Sequence, residues 1–304
     1  MASKFSGFIA SLDSKSIDYR IAITTTDLNS VNQKPLVTFS NGSSYITNAD
    51  ANRNTLFNNS IVRNETINCE DIITSSFNTY GSSFRINDPG YAASYAATCP
   101  SSDTRGIYTA NTVIAGNSNS FIRADANLNV ILISNDDVRQ KLYEMEENDK
   151  ASAFVNMMQQ KYPTKYWDFN SIVVKDNTCK QLQTLHTATN QVVMSGSVPA
   201  IAGGIGLEYA NLSNSAGKDI DGNPRPRGQI LDICESNYAN HFNTMATQIA
   251  DESRLFTMKC VPTVAPTVLP ASVPHTWSGD KITFPRGTEG TSVSVQYRCY
   301  TGPT

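Results

Sequence analysis

The sequence lacks the short motifs that announce most enzyme and metal chemistry. It holds no C-x-x-C pair, so a zinc site built from paired thiolates is not expected. It holds no H-E-x-x-H or H-x-H spacing, no G-x-S-x-G elbow and no Walker A loop. Its three histidines, His186, His241 and His275, are scattered and read as packed or surface side chains. Charge is scarce: 17% of residues are charged and 39% hydrophobic, both below the usual globular share. Asn, Ser and Thr take the vacated positions, a composition common on secreted surfaces. The net charge of −3 and the lack of a basic, aromatic-interleaved patch exclude a nucleic-acid partner. No apolar run is long enough to span a bilayer. The start, Met1 to Phe5, lacks the apolar core of a signal peptide, so an exported protein is expected to have shed its leader before this sequence begins.

Six cysteines are present: Cys69, Cys99, Cys179, Cys234, Cys260 and Cys299. An even number of widely spaced cysteines suits disulfides formed in an oxidising compartment. Among the pairings open to them, neighbours in order are favoured: Cys69–Cys99, Cys179–Cys234 and Cys260–Cys299. The last pair lies in a tail of short strands too small to be stable alone. A secreted, periplasmic or cell-surface location follows.

The 304 residues suit one large domain with a small appendage. Phe5, Phe8, Ile9 and Leu12 recur at helical spacing. Residues 19–26 (YRIAITTT) alternate and are β-branched, which predicts a strand. Asn41-Gly42 marks a hairpin turn between 37–39 and 45–47. Helices are expected near 55–62, 69–77 and 89–98. The apolar run 129–134 (NVILIS) predicts a central strand buried on both faces. Asp136 and Asp137 then cap an expected long helix through Met157, with Val138, Leu142, Met145, Phe154 and Met158 on its apolar side. Residues 170–175 (NSIVVK) form the next buried strand. The Gly-rich loop Ala202-Gly203-Gly204-Ile205-Gly206 reads as a turn before a helix at 207–213. Residues 217–227 read as a surface loop, and 238–251 as a helix with Phe242, Met245 and Ile249 inward. After Ser253 helical spacing stops and short, proline-broken strands follow. The expected division is 1–253, an α/β domain of mostly parallel sheet with helices on both faces, and 254–304, a small β extension.

Two strings carry a family resemblance. Residues 18–27 (DYRIAITTTD) and 121–137 (FIRADANLNVILISNDD) resemble the second and fourth strands of the von Willebrand factor A (vWA) domains of bacterial cell-envelope proteins. Ile233-Cys234 near Tyr238, and 282–284 with 293–297, resemble that family's distal parts. The resemblance implies a doubly wound sheet and adhesion through loops at its carboxyl edge. It also implies Mg²⁺, held there by a D-x-S-x-S loop, a second-loop hydroxyl and an Asp after the fourth strand. This sequence has no D-x-S-x-S, and it starts at what matches the family's first helix, without the first strand. The second loop matches Gly81-Ser82-Ser83, and Asn135 stands where the Asp is expected, followed by Asp136 and Asp137. The implied metal set, Ser82, Asp136 and Asp137, is therefore incomplete, and both aspartates also read as helix caps.

Other candidates are bland. Asp219, Asp221, Gly222 and Asn223 loosely match a calcium loop, but Ile230 stands where its closing Glu belongs. Glu144, Glu146, Glu147 and Asp149 read as a solvated helical face. Tyr80, Tyr91, Tyr95 and Tyr108 read equally as a contact surface or as packing. No nucleophile and base are found together, so the chain is not expected to be an enzyme. The expected function is binding of a protein or surface ligand in a bacterial envelope or extracellular structure, through loops carrying Ser82, Ser83, Asn135, Asp136 and Asp137. The alternative is a structural subunit whose incomplete sheet is completed by a partner's strand, unless 192–194 of this chain fills the slot.

Overall fold

A computed structural model describes residues 2–5, 7–27, 34–100, 103–117, 120–139, 143–200, 203–288 and 291–300. Leu142 and Ala202 lie outside them. The fold is mixed α/β around a parallel sheet of three strands: β1 (Leu128–Ser134), β2 (Trp167–Val173) and β3 (Ile230–Asp232). Their order is β3-β2-β1. β1 pairs with β2 along its whole length, from Leu128 opposite Trp167 to Ser134 opposite Val173. β3 takes the other side of β2, from Ile230 opposite Ser171 to Asp232 opposite Val173.

Helices cover both faces, and the period of two along each strand decides which side chain meets which helix. On one face lie α1 (Phe8–Asp13) and α5 (Ala239–Glu252). Ile131, Ile133, Ile172 and Leu231 pack there with Phe8, Ile9, Leu12, Phe242, Met245 and Ala246. On the other lie α2 (Gly106–Gly116), α3 (Ala151–Lys161) and α4 (Leu207–Ser213). Leu128, Val130, Leu132, Phe169 and Val173 pack there with Ile107, Ile114, Phe154, Met158, Tyr209 and Leu212. Helix α2 has no counterpart in the sequence reading. Its first residue explains its close fit: a Cβ on Gly106 would lie 2.5 Å from Leu132 Cδ1. Only glycine lets the helix start this near the sheet.

The sequence reading misplaces the centre of the sheet. β1, the more apolar strand, lies at the edge, and β2 is central with all its residues buried. β2 includes Asp168, Asn170 and Ser171, each supplied with partners. The Asn170 side-chain oxygen accepts from Gln229 N at 2.9 Å, and Ser171 Oγ donates to Tyr209 O at 3.1 Å. Buried polar groups are tolerated when hydrogen-bonded in this way.

The expected long helix after Asp137 is also corrected. Bends follow Ser134, a 3₁₀ turn spans Glu147–Asp149, and the helix runs only over Ala151–Lys161. Tertiary ion pairs override the helical spacing. Arg139 takes φ 47°, and its N–H donates to Thr104 O at 2.9 Å. Its guanidinium pairs with Asp103 at 3.0 Å, while Arg105 holds Asp149 at 2.8 Å and Glu146 at 2.8 Å. Of the acidic run, Glu144, Glu146 and Glu147 are exposed as expected, though not on an α-helix, while Asp149 is fully buried.

Residues 19–26 pair as a strand only at Arg20–Ile21, antiparallel to Ile46–Thr47. The Asn41-Gly42 turn forms, with Gly42 at φ 83° and Phe39 N–H donating to Ser43 O at 2.8 Å. The 192–194 segment does not fill a sheet position. Val192 belongs to a short hairpin with Leu185–His186, Met194 to another with Val198–Pro199, and Val193 is buried between them. The supposed surface loop 217–227 is a hairpin, Ala216–Lys218 against Pro224–Pro226, whose arginines turn inward to β2.

Helices Arg53–Ile61, Asn64–Tyr80, Pro89–Thr98 and Asn177–Thr184 complete the α/β part. The tail forms a sheet of Leu255–Thr257, Lys281–Thr283 and Thr276–Ser278, and a separate pair, Thr267–Leu269 with Ser294–Gln296. It has its own small cluster of Met258, Val268, Val273, Ile282 and Phe284. The three disulfides are Cys69–Cys99, Cys179–Cys234 and Cys260–Cys299, the pairing expected from the sequence.

Candidate functional site

The loop residues singled out in the sequence occupy two different settings. Ser82 and Ser83 form an exposed 3₁₀ turn with Gly81, after the helix Asn64–Tyr80. Ser83 Oγ donates to Tyr80 O at 2.6 Å, and Arg85 fastens the turn to Gly196 O at 2.9 Å. This turn sits by the cluster of Phe77, Phe84, Tyr91 and Val193. Asn135, Asp136 and Asp137 follow directly on β1. Asn135 O accepts from Gly204 N at 3.0 Å, so the Gly-rich turn meets the carboxyl end of the sheet. The Asp137 carboxylate accepts from Glu208 N at 3.1 and 3.2 Å, at the start of α4. Burial raises its pKa, against the hydrogen bonds from the backbone of Val138, Glu208 and Leu207. Asp137 thus caps α4, not the helix expected to follow it. With that carboxylate buried and engaged, the residues do not fit the Mg²⁺ set implied by the resemblance.

Other candidates resolve in the same way. Among the described residues, one group of His, Cys, Asp and Glu side chains has metal-ligand proximity, Cys179, Asp232 and Cys234, and its two sulfurs are bonded to each other. His186 is buried 2.6 Å from Glu70. Asp219 receives the N–H of Asn223 at 2.7 Å and shapes its hairpin turn. Tyr91 is buried, Tyr108 lies under the Arg105 guanidinium at 4.3 Å, and Tyr80 is exposed.

A different feature stands out: the outer edge of β1. Among the described residues no strand pairs with it. Leu128 N–H donates to Tyr166 O at 3.0 Å, which fixes the alternation of the ladder. In a parallel pair, successive residues direct their backbone groups to opposite edges. Leu128, Val130, Leu132 and Ser134 therefore bond to β2, and Asn129, Ile131 and Ile133 aim N–H and C=O outward. Val130, Ile131 and Ile133 are only partly buried, although apolar clusters lie on both sides of them.

A second extended segment, 18–27, lies in the same layer. Ile21 and Ile23 pack on the cluster that holds Ile131 and Ile133, while Ala22 packs with Val113 of α2. Its direction follows from its ends. Before β1 begins, Arg20 donates to Ser120 O at 3.0 Å and Arg123 pairs with Asp18 at 2.5 Å. After β1 ends, Arg139 bonds Thr104, which pairs with Asp27, and Arg105 N–H donates to Thr26 O at 3.1 Å. The segment runs parallel to β1. Among the described residues no hydrogen bond joins the two, and buried Thr24 Oγ1 and Asn129 Oδ1 lack partners. Two parallel extended segments, apolar above and below, share a layer without pairing.

Sequence reasoning took the alternating 19–26 to mean a strand and the apolar run 129–134 to mean burial on both faces. The signal that locates the edge is the register with β2, which no local pattern carries. No family model, curated protein or solved structure matches the chain.

Proposed function

We propose that this chain is a protein-binding module of an extracytoplasmic assembly, whose parallel sheet is completed by an extended strand from a partner chain. The observation that carries this reading is the outward row of backbone groups at Asn129, Ile131 and Ile133, set between two apolar clusters. Unpaired strand edges of this kind are templates for β-augmentation. A strand entering here is flanked by helix layers on both sides, so its side chains are apolar on both faces, as in other buried parallel strands. Asn135 and Asp136 stand at the end of β1 and meet the end of such a strand, which gives the loop residues a part in the same surface. The three disulfides support a place outside the cytoplasm. The vWA resemblance and a role in adhesion rather than catalysis belong to this proposal.

The test is titration with apolar peptides of about seven residues, the length of β1, carrying lysine tags for solubility. Binding that raises the melting midpoint saturably and protects the Ile131 and Ile133 amides supports the proposal. Peptides that bind without protecting β1, and lose affinity when Ser83 or Asp136 is replaced by Ala, point to the loops instead. No binding by any apolar strand peptide contradicts strand uptake.

A further inference from the structure

At the opposite end of the sheet, charged side chains from three elements, joined by the Asn129 amide of β1, meet in the interior. Asp168 of β2 and Glu252, the last residue of α5, are both buried. The hairpin residue Arg225 reaches both: its Nη2 lies 2.7 and 2.9 Å from the Asp168 oxygens and 3.1 Å from Glu252 Oε1. The same nitrogen contacts Tyr166 Oη. Gln248 of α5 donates to Asp168 Oδ2, and Asn129 of β1 donates to Glu252 Oε2 at 3.1 Å. Asn127 closes the set by donating to Glu252 O at 2.6 Å.

Counting protons shows what this arrangement needs. Nη2 carries two hydrogens but faces oxygens of two carboxyl groups and a phenol. Two ionised carboxylates, both buried, face one guanidinium in direct contact, with Arg227 offsetting Asp168 only from a distance, and the excess negative charge on buried groups is costly. One added proton removes the excess charge and bridges the carboxyl groups.

We propose that Asp168 and Glu252 form a proton-operated latch, closed when Glu252 is protonated and donates to Asp168, that holds the end of α5 to the start of β1 and β2 and loosens as pH rises. Burial, then the hydrogen bond and charge of Asp168, push the Glu252 pKa well above the usual carboxyl range. The sign follows from linkage. A carboxyl whose folded pKa is raised stabilises the fold fully below its unfolded value, about 4.3 for Glu. That stability is lost as pH climbs through the folded value. The groups facing the pair are Arg225 and Tyr166, with Arg227 stacked on Trp167 beyond them and Asp251 and Arg254 at the end of α5. Arg225 is the cation in direct contact with both carboxyls, and no second cation replaces the proton among the described contacts of the pair.

The experiment compares melting midpoints of the full chain and Glu252→Gln from about pH 5 to about pH 8. The amide mimics the protonated carboxyl, so the wild-type midpoint should fall by a few degrees relative to the variant as pH rises. Parallel profiles overturn the latch. If Glu252→Gln does not fold, Asp168→Asn serves in its place, because it removes the facing charge and should also flatten the profile. Infrared difference spectra of wild type give a readout independent of any variant. A protonated-carboxyl carbonyl band near neutral pH that vanishes at high pH supports the latch, and its absence overturns it.

Discussion

β1 and β2 are neighbours of equal length with opposite fates. β1 reads LNVILIS and lies mostly partly buried at an edge; β2 reads WDFNSIV and is buried throughout. Composition alone reverses their order. What decides is whether each backbone and polar group finds a partner. Asp168, Asn170 and Ser171 all do, so β2 bears the interior despite its polarity. Among the described residues the backbone of Ile131 and Ile133 finds none on its outer side, although the side chains suit a strand buried on both faces. An apolar strand left at an edge is therefore informative, because its sequence is adapted to a neighbour.

The largest contrast is in core truncation. Phe169→Ala in β2 removes a fully buried ring packed 5.2 Å from Phe154 and should cost about 3–5 kcal/mol. Val130→Ala in β1 removes a partly buried side chain and should cost about 1 kcal/mol. Denaturant unfolding of both variants measures the gap. Equal losses would mean that β1 is as enclosed as β2.

The closed side of the sheet is also the stapled side. Cys234 follows β3 and Cys179 lies in the helix after β2. Replacing both by Ser should lower stability by about 2–5 kcal/mol, read from the denaturant midpoint. The backbone exchange pattern of β1 should survive that change, since the bridge does not reach the open edge.

Smaller still is the cap at the carboxyl end of β1. Asp137→Ala should cost about 0.5–2 kcal/mol, by loss of the bonds to Glu208 N. Asp137→Asn keeps an acceptor and should lose less. A change in stability on adding Mg²⁺ that Asp137→Ala removes would restore a metal role to this residue.

Much of this was legible before the structure. The three disulfides follow from cysteine order, and helices over 89–98 and 207–213 match their patterns residue for residue. The failures share a cause. The helix expected after Asp137 gave way to ion pairs of Arg139 with Asp103 and of Asp149 with Arg105, partners far along the chain. The hairpin carrying Arg225 looked like a surface loop, because its reason to be ordered lies in Asp168 and Glu252. Helix α2 was missed because its Gly and β-branched residues carry weak helix propensity, while Leu132 and Tyr209 hold it in place. Local pattern gives element type; register and charged partners are non-local, and they define both the edge and the buried acid pair.

Amide hydrogen exchange along β1 of the isolated chain tests the open edge most directly. The amides of Val130, Leu132 and Ser134 should be protected by their bonds to β2, and those of Ile131 and Ile133 should exchange far faster. Uniform protection of all five would show that the edge is already covered, and would contradict the account.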